Sequence, residues 1–339
     1  MAKKNKPKVA ITLGDINGIG PEIVIKTLSD QRILNHLTPI IFGSSKTVSY
    51  YRKQLKIDDF SVYHLNEGQE PNPKRVNIVE CWQEAAEINL GKASKEAGEK
   101  ALLSLKKSVE YLQNGLVEGI VTAPINKATI QTDEFNFPGH TEFFGNKFNG
   151  SPLMFMVAEK LRIAVATGHV PLKDVPLLIT SEHLTTTLSA MKKSLKYDFG
   201  IEKPKIAVLG LNPHAGEGGL LGAEEKEVII PLIKQLKEKG ELVFGPFPAD
   251  GFFGSSSYKK YDGILAMYHD QGLIPFKSLA FGEGVNFTAN LSIVRTSPDH
   301  GTGYDIAGKG IASESSFRNA LFYLVDIIKN RADSGLDLD

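Results

Sequence analysis

The chain has 339 residues, of which 42% are hydrophobic and 23% charged, an ordinary composition for a folded protein rather than a disordered one. At about 150 residues per domain it holds roughly two domains, with enough core to need no disulfide. Its 39 lysines and arginines cancel its 39 aspartates and glutamates, so it lacks the global basic field of a nucleic-acid binder. The single cysteine, Cys81, excludes an internal disulfide and a thiolate metal cluster. No stretch reaches the ~18 apolar residues of a membrane span, and the opening MAKKNKPKVAIT has no apolar signal core. The expectation is a cytoplasmic protein with no nucleic-acid or membrane partner.

In chain order, Lys8 to Leu13 reads as a buried strand, followed by GDINGIGPE at residues 14–22. Its glycines permit a tight turn and Pro21 suits the first turn of a helix. It is neither GxGxxG nor a P-loop, so a plain strand-to-helix turn is one reading, with Asp15 the residue of interest. Pro39 to Phe42 is a second strand. Ala101, Leu102, Leu105, Val109 and Leu112 recur at helical spacing, with Lys106, Lys107 and Glu110 opposite, and Leu116 to Val121 is the next strand. In FPGHTEFF, His140 and Thr141 stand where a loop enters a helix. The first amides of a helix can bind an anion there, or Thr141 can be a simple cap.

Three further strands are each followed by a histidine: Leu161 to Thr167 by His169, Lys205 to Leu209 by His214, and Gly263 to Met267 by His269. Each histidine alone reads as an ordinary loop residue. Together they are too far apart for a helical zinc motif but suit ligands gathered from different strand ends, leaving a position open for substrate. Asp250 in PFPAD and Asp270 beside His269 can ligate or orient. Helices are expected over Leu184 to Leu195, Glu225 to Leu236 and Phe317 to Ile328. Lys277, Asn286 and Arg295 follow His269 closely, and Arg295 suits a carboxylate or phosphate, although such residues also sit solvated beside strands. The glycine-rich segment 297–312, SPDHGTGYDIAGKGIA, is either a surface turn or a loop that wraps a nucleotide, with His300 on the adenine and Asp305 accepting from it.

Alternating strands and helices predict an α/β protein with a largely parallel sheet and ligands beyond the carboxyl ends of its strands. The chain is expected to cross between two lobes near residues 125 and 296. Lobe 1 is then 1–125 with 296–339, and lobe 2 is 126–295, carrying metal and substrate residues and dimer contacts. The active site is expected in the cleft between them.

The segments GDINGIGPE, VTAPINK, FPGHTEFF, ATGHVPLKDV, GLNPHAGEGGLLGAEE, GPFPAD, AMYHDQGLIPFK and GVNFTANLSIVRTSPDHGTGYDIAGKG run in this order through nearly the whole chain. In them the sequence resembles the 4-hydroxythreonine-4-phosphate dehydrogenase family of vitamin B6 biosynthesis. The loop HGTGYDIAGKGIA is also similar to the nucleotide-binding loop of isopropylmalate and isocitrate dehydrogenases. The resemblance implies a two-lobed α/β/α fold of that dehydrogenase type and NAD use without GxGxxG, with His300, Gly301 and Asp305 contacting the cofactor. It makes His169, His214 and His269 ligands of a divalent metal, zinc first and cobalt or magnesium as alternates. It makes His140, Thr141, Lys277, Asn286 and Arg295 substrate contacts, with Lys277 and then Asp250 as proton-handling candidates. The family is a homodimer whose active site draws on both subunits.

The implied reaction is oxidation of 4-phosphooxy-L-threonine by NAD⁺ and decarboxylation of the product. A sister dehydrogenase acting on 4-phospho-D-threonate or 4-phospho-D-erythronate is the nearest alternative. A metal-dependent hydrolase and a phosphate-ligand sensor are more remote ones. For NADP, Lys309 is the candidate partner of a 2′-phosphate in the late loop. Two departures from the family pattern stand out: Ile16-Asn17 replaces Pro-Ala, and Gly303-Tyr304 replaces an Ala-Leu type pair. The second bears on how the cofactor is held.

Overall fold

The computed structural model describes residues 6–335, in two compact units: residues up to Phe143 with Ile293–Lys329, and Phe144–Ser292 with the segment from Asn330 onward. The first unit contains β1 (Lys8–Thr12), α1 (Gly20–Leu28), β2 (Thr38–Gly43), α2 (Ser45–Leu55), β3 (Val62–His64), β4 (Val76–Glu80), α3 (Lys95–Gln113) and β5 (Gly119–Thr122). The chain leaves it within α4 (His140–Lys147). The second unit holds β6 (Leu153–Ala158), β7 (Leu161–Val165), α5 (Val175–Leu178), α6 (Ser181–Tyr197), β8 (Ile206–Leu209) and α7 (Ile230–Glu238). It continues with β9 (Val243–Phe247), α8 (Ala249–Gly254), β10 (Gly263–Ala266), α9 (His269–Ala280) and β11 (Val285–Ala289). The first unit resumes with β12 (Val294–Pro298), and α10 (Ser315–Ser334) follows.

In the first unit the strands lie in the order β3-β4-β2-β1-β5-β12, and every neighbouring pair is parallel. Val9, Ala10 and Ile11 have no exposed surface, as expected for strands covered on both faces. Helix α3 starts where Ser94 accepts from Ala97 N–H, a side-chain cap for an otherwise orphaned donor. Its buried stripe of Ala97, Ala101, Leu105, Val109 and Leu112 follows the helical period. Gly98 is needed there because a Cβ would lie 2.0 Å from the Thr129 carbonyl oxygen. Phe135 stacks on Phe143 at 5.0 Å. Residues 126–143 therefore pack into the first unit with His140 and Thr141, and Arg295 lies in it with Ile293–Lys329, where the sequence reading, with crossings near 125 and 296, places all three in lobe 2.

The second unit has strand order β11-β6-β7-β10-β8-β9. β7, β10, β8 and β9 are mutually parallel, whereas β6 runs antiparallel to both β7 and β11. The β6–β7 connection is only Glu159-Lys160, with Glu159 at φ 46°, and so short a link joins antiparallel strands alone. Met156, Ile163, Val165, Leu209, Phe252, Ile264 and Phe276 share its core. Asp198 and Arg331 form a buried ion pair at 2.6 Å. The Ser194 hydroxyl also donates to Asp198, and Arg331 donates to the Leu291 carbonyl. The expected helix from Glu225 is divided: residues 225–229 form a π-helical turn and α7 begins at Ile230. Among the described residues, no helix is long and apolar enough to cross a membrane.

Candidate active site

In the second unit, β7, β10 and β8 are adjacent parallel strands, and His169, His269 and His214 lie just past their carboxyl ends. Backbone and side-chain bonds hold these ends in register. Ala166 N–H donates to Ala266 O at 2.8 Å, and the Thr167 hydroxyl to Met267 O at 2.8 Å. The Gln271 carboxamide accepts from Met267 N–H at 2.7 Å and donates to Gly210 O at 2.6 Å, so one side chain spans from β10 to β8. The His183 ring nitrogen Nε2 lies 2.8 Å from Ala166 O.

The His169 and His269 rings approach to 5.4 Å between centroids. His269 opens α9, and its Nδ1 is 2.8 Å from Asp270 Oδ1, a carboxylate partner that fixes ring orientation and leaves Nε2 as the nitrogen a metal would use. His214 is exposed and begins a left-handed stretch, with His214 at φ 51°, Ala215 at 51° and Glu217 at 44°. Non-glycine residues are strained there. Buried Glu225 holds this loop in shape, accepting from Asn212 N–H at 2.7 Å and Asn212 Nδ2 at 2.9 Å. A π-turn at such a place is common beside functional sites. Among the described residues, no three His, Cys, Asp or Glu side chains gather closely enough to hold a metal ion; one chain brings His169 and His269 together but not the full set with His214. The donor set fits a borderline ion such as zinc or cobalt and fits magnesium, which prefers oxygen, poorly. Asp250 is exposed in the first turn of α8. Lys277 is exposed in the last turn of α9, and Asn286 is half-buried opposite Met156 on β11.

In the first unit, the loops after β1, β5 and β12 meet. Arg295, 2% exposed, donates to the Thr122 hydroxyl through Nε at 3.1 Å and Nη2 at 2.7 Å. Burial pushes its guanidinium down to about 9, opposed by the charge of Glu142. His140, the first residue of α4, is held well below its ordinary pKa by burial, reinforced by the positive charges of Arg295 and Lys127. Thr141 follows it, half-buried. Arg295 and Lys127 thus set positive charge beside a neutral imidazole at the first turn of α4, partly offset by Glu142 in the same turn.

Asp15 has no exposed surface. Burial raises its pKa, against hydrogen bonds from Tyr304 and the Asn17 and Gly18 amides. The late loop carries His300, Gly301 and Asp305. His300 Nδ1 is 3.0 Å from Gly301 O, while its Nε2 is shielded from solvent with no hydrogen-bond partner among the described residues. Among the described residues, no atom beyond its chain neighbours stands within 4 Å of where a Gly301 Cβ would be, and Asp305 is exposed. An orphaned ring nitrogen beside an open glycine backbone fits a nucleotide. Thr122, Asn126, Glu225 and Gln271 lie within the segments that carry the family resemblance, but no residue-type pattern singles them out; their roles come from contacts between segments.

The profile of the family described as "Pyridoxal phosphate biosynthetic protein PdxA" matches residues 35–324. The chain belongs to this family. It is 50% identical over 332 residues to the 4-hydroxythreonine-4-phosphate dehydrogenase of Bacteroides thetaiotaomicron, covering 97% of this chain and 91% of that one. A protein of Oceanobacillus iheyensis with the provisional name D-threonate 4-phosphate dehydrogenase is 37% identical, covering 95% and 98%. The crystal structure of 4-hydroxythreonine-4-phosphate dehydrogenase from Klebsiella pneumoniae superposes with TM-score 0.80 at 31% identity, covering 96% and 99%. Isocitrate dehydrogenase from Methylococcus capsulatus, at 12% identity and TM-score 0.50 over 97% and 88%, shares the fold, as the late loop's resemblance implies.

Proposed function

We propose that the protein oxidises the secondary alcohol of 4-phosphooxy-L-threonine with NAD⁺. The 2-amino-3-oxo-4-phosphooxybutanoate so formed loses carbon dioxide to give 3-amino-2-oxopropyl phosphate. The observation that carries this reading is the placement of three histidines after three adjacent parallel strands, in a chain half identical to a relative named for this activity. Bound NAD would take the hydride, and a divalent ion on His169, His214 and His269 would acidify the alcohol and stabilise the negative charge that develops as carbon dioxide leaves. In this reading the protein is a homodimer whose active site draws residues from both subunits.

The chain's own groups do the rest. Arg295, oriented by Thr122, and Lys127 supply positive charge for an anionic end of the substrate. His140, kept neutral, accepts or donates a hydrogen bond there without adding like charge to the pair. Thr141 and the first amides of α4 add donors, and Asn286 contacts the substrate. Lys277 handles the proton released from the alcohol, with Asp250 the lower-ranked group for that role. His300, Gly301 and Asp305 hold the adenosine end of NAD, and the setting is cytoplasmic.

The second reading, oxidation of 4-phospho-D-threonate, is favoured by the 37% identity to the Oceanobacillus relative. The two substrates differ by an amine against a hydroxyl. Comparing kcat/KM for both compounds with NAD⁺ separates them: preference for the amino compound supports the first reading, and preference for the threonate replaces it with the second. Release of inorganic phosphate without NADH would point to hydrolysis, and binding without turnover to a sensor.

A further inference from the structure

We infer that Tyr304 is a positioning residue that holds the dinucleotide loop in its binding shape before the dinucleotide arrives. Its hydroxyl donates to Asp15 Oδ2 at 2.6 Å and accepts from Asn126 Nδ2 at 3.0 Å. Both partners are themselves fixed. Asp15 Oδ1 accepts from Asn17 N–H at 2.9 Å, and Asp15 N–H donates to Pro124 O at 2.9 Å. Gly14, at φ 67°, makes that approach possible, since a Cβ would lie 2.3 Å from Pro124 O. Asn126 Oδ1 accepts from Ala128 and Thr129 N–H. Tyr304 thus ties the late loop to two hydrogen-bonded turns at the ends of the neighbouring strands β1 and β5.

Other ties flank this one. Ile19 N–H donates to Thr302 O at 2.9 Å, Gln54 Nε2 to Gly308 O at 2.9 Å and Lys26 Nζ to Gly310 O at 3.0 Å. Gly303, Gly308 and Gly310 all have positive φ, and glycines lose the most freedom on ordering. A latch formed in the free protein meets that cost in advance and leaves less for the ligand to meet. The Ala-Leu type pair that Gly303-Tyr304 replaces offers no hydroxyl for the purpose. The inference rests on the dinucleotide reading above.

Tyr304→Phe keeps the ring and removes the latch. NADH binding, followed by fluorescence titration, should weaken about five- to twentyfold, the scale of one hydrogen bond to a charged group partly transmitted to the ligand. The KM for the phosphorylated alcohol should move less than twofold, and amide exchange in the free protein should quicken within residues 300–311. Asp15→Asn, which keeps an acceptor but loses the charge, should shift NADH affinity in the same direction by less. NADH affinity within twofold of the parent in a folded Tyr304→Phe variant overturns the latch alone. A parent protein that binds no dinucleotide overturns the functional reading, and unchanged exchange within 300–311 would then overturn the latch as well.

Discussion

Arg295 on β12 grips the Thr122 hydroxyl of neighbouring β5 through two nitrogens, at 3.1 and 2.7 Å. A buried guanidinium is thereby given one orientation, although burial disfavours its charge. Thr122→Val removes the acceptor while keeping the shape. It should lower stability by about 1–3 kcal/mol, the cost of unsatisfying a buried donor, and raise the KM for the phosphorylated substrate. Arg295→Lys should cost about a hundredfold in kcat/KM, because a single ammonium cannot reproduce a planar fork. Steady-state kinetics beside chemical denaturation check both, and an Arg295→Lys enzyme with parental kcat/KM removes Arg295 from the substrate site.

The contact between His269 Nδ1 and Asp270 predicts an effect on metal affinity rather than on folding. Asp270→Asn should weaken metal binding about ten- to a hundredfold, the usual effect of losing a carboxylate behind a ligating imidazole. Chelator competition with zinc reads this directly. His214→Ala should lose the metal altogether while its circular dichroism stays parental. Retention of stoichiometric zinc by His214→Ala would remove that residue from the ligand set.

At the far end of α10, the Asp198–Arg331 pair is 5% and 10% exposed. Removing one partner strands the other charge in the interior, which typically costs about 3–5 kcal/mol. Arg331→Met should therefore lower the melting temperature by several degrees. The double substitution with Asp198→Leu should recover much of that loss. A double variant no better than the single one would contradict the ion-pair account.

His140 predicts a pH dependence of stability. In the unfolded chain it titrates near 6.5, whereas in the fold its pKa is held well below that. As pH falls through 6.5, the unfolded chain takes up a proton that the folded protein refuses. Unfolding therefore becomes easier. This contribution is complete above about pH 6.5 and erodes below it. His140→Gln should flatten the slope of melting temperature against pH between 7 and 5, and an unchanged slope would show that His140 ionises normally.

Much of this was legible because buried parallel strands are written as short apolar runs. Lys8 to Leu13, Lys205 to Leu209 and Gly263 to Met267 match β1, β8 and β10 to within a residue at either end. The three histidines were visible because each directly follows such a run. Strand β9 was hidden by the Gly-Pro within VFGPF, and β3 by its length of three residues. The placement of residues 126–143 depends on Gly98 against Thr129 and Phe135 on Phe143, contacts with no local sequence signature. For the same reason nothing local singles out Gln271, Glu225 or Thr122 within the family segments that contain them. Tyr304 showed only as a departure from a pattern, and its partner Asp15 only as a residue of interest, because they meet across most of the chain's length.

The proposed reaction is a metal-dependent oxidation by NAD⁺. The most direct measurement is NADH formation, followed by its absorbance, from enantiopure 4-phosphooxy-L-threonine and NAD⁺, in parallel with chelator and with chelator followed by zinc. The account predicts turnover that the chelator abolishes and zinc restores. Absence of NADH from the metal-replete protein, or turnover indifferent to the chelator, would contradict it.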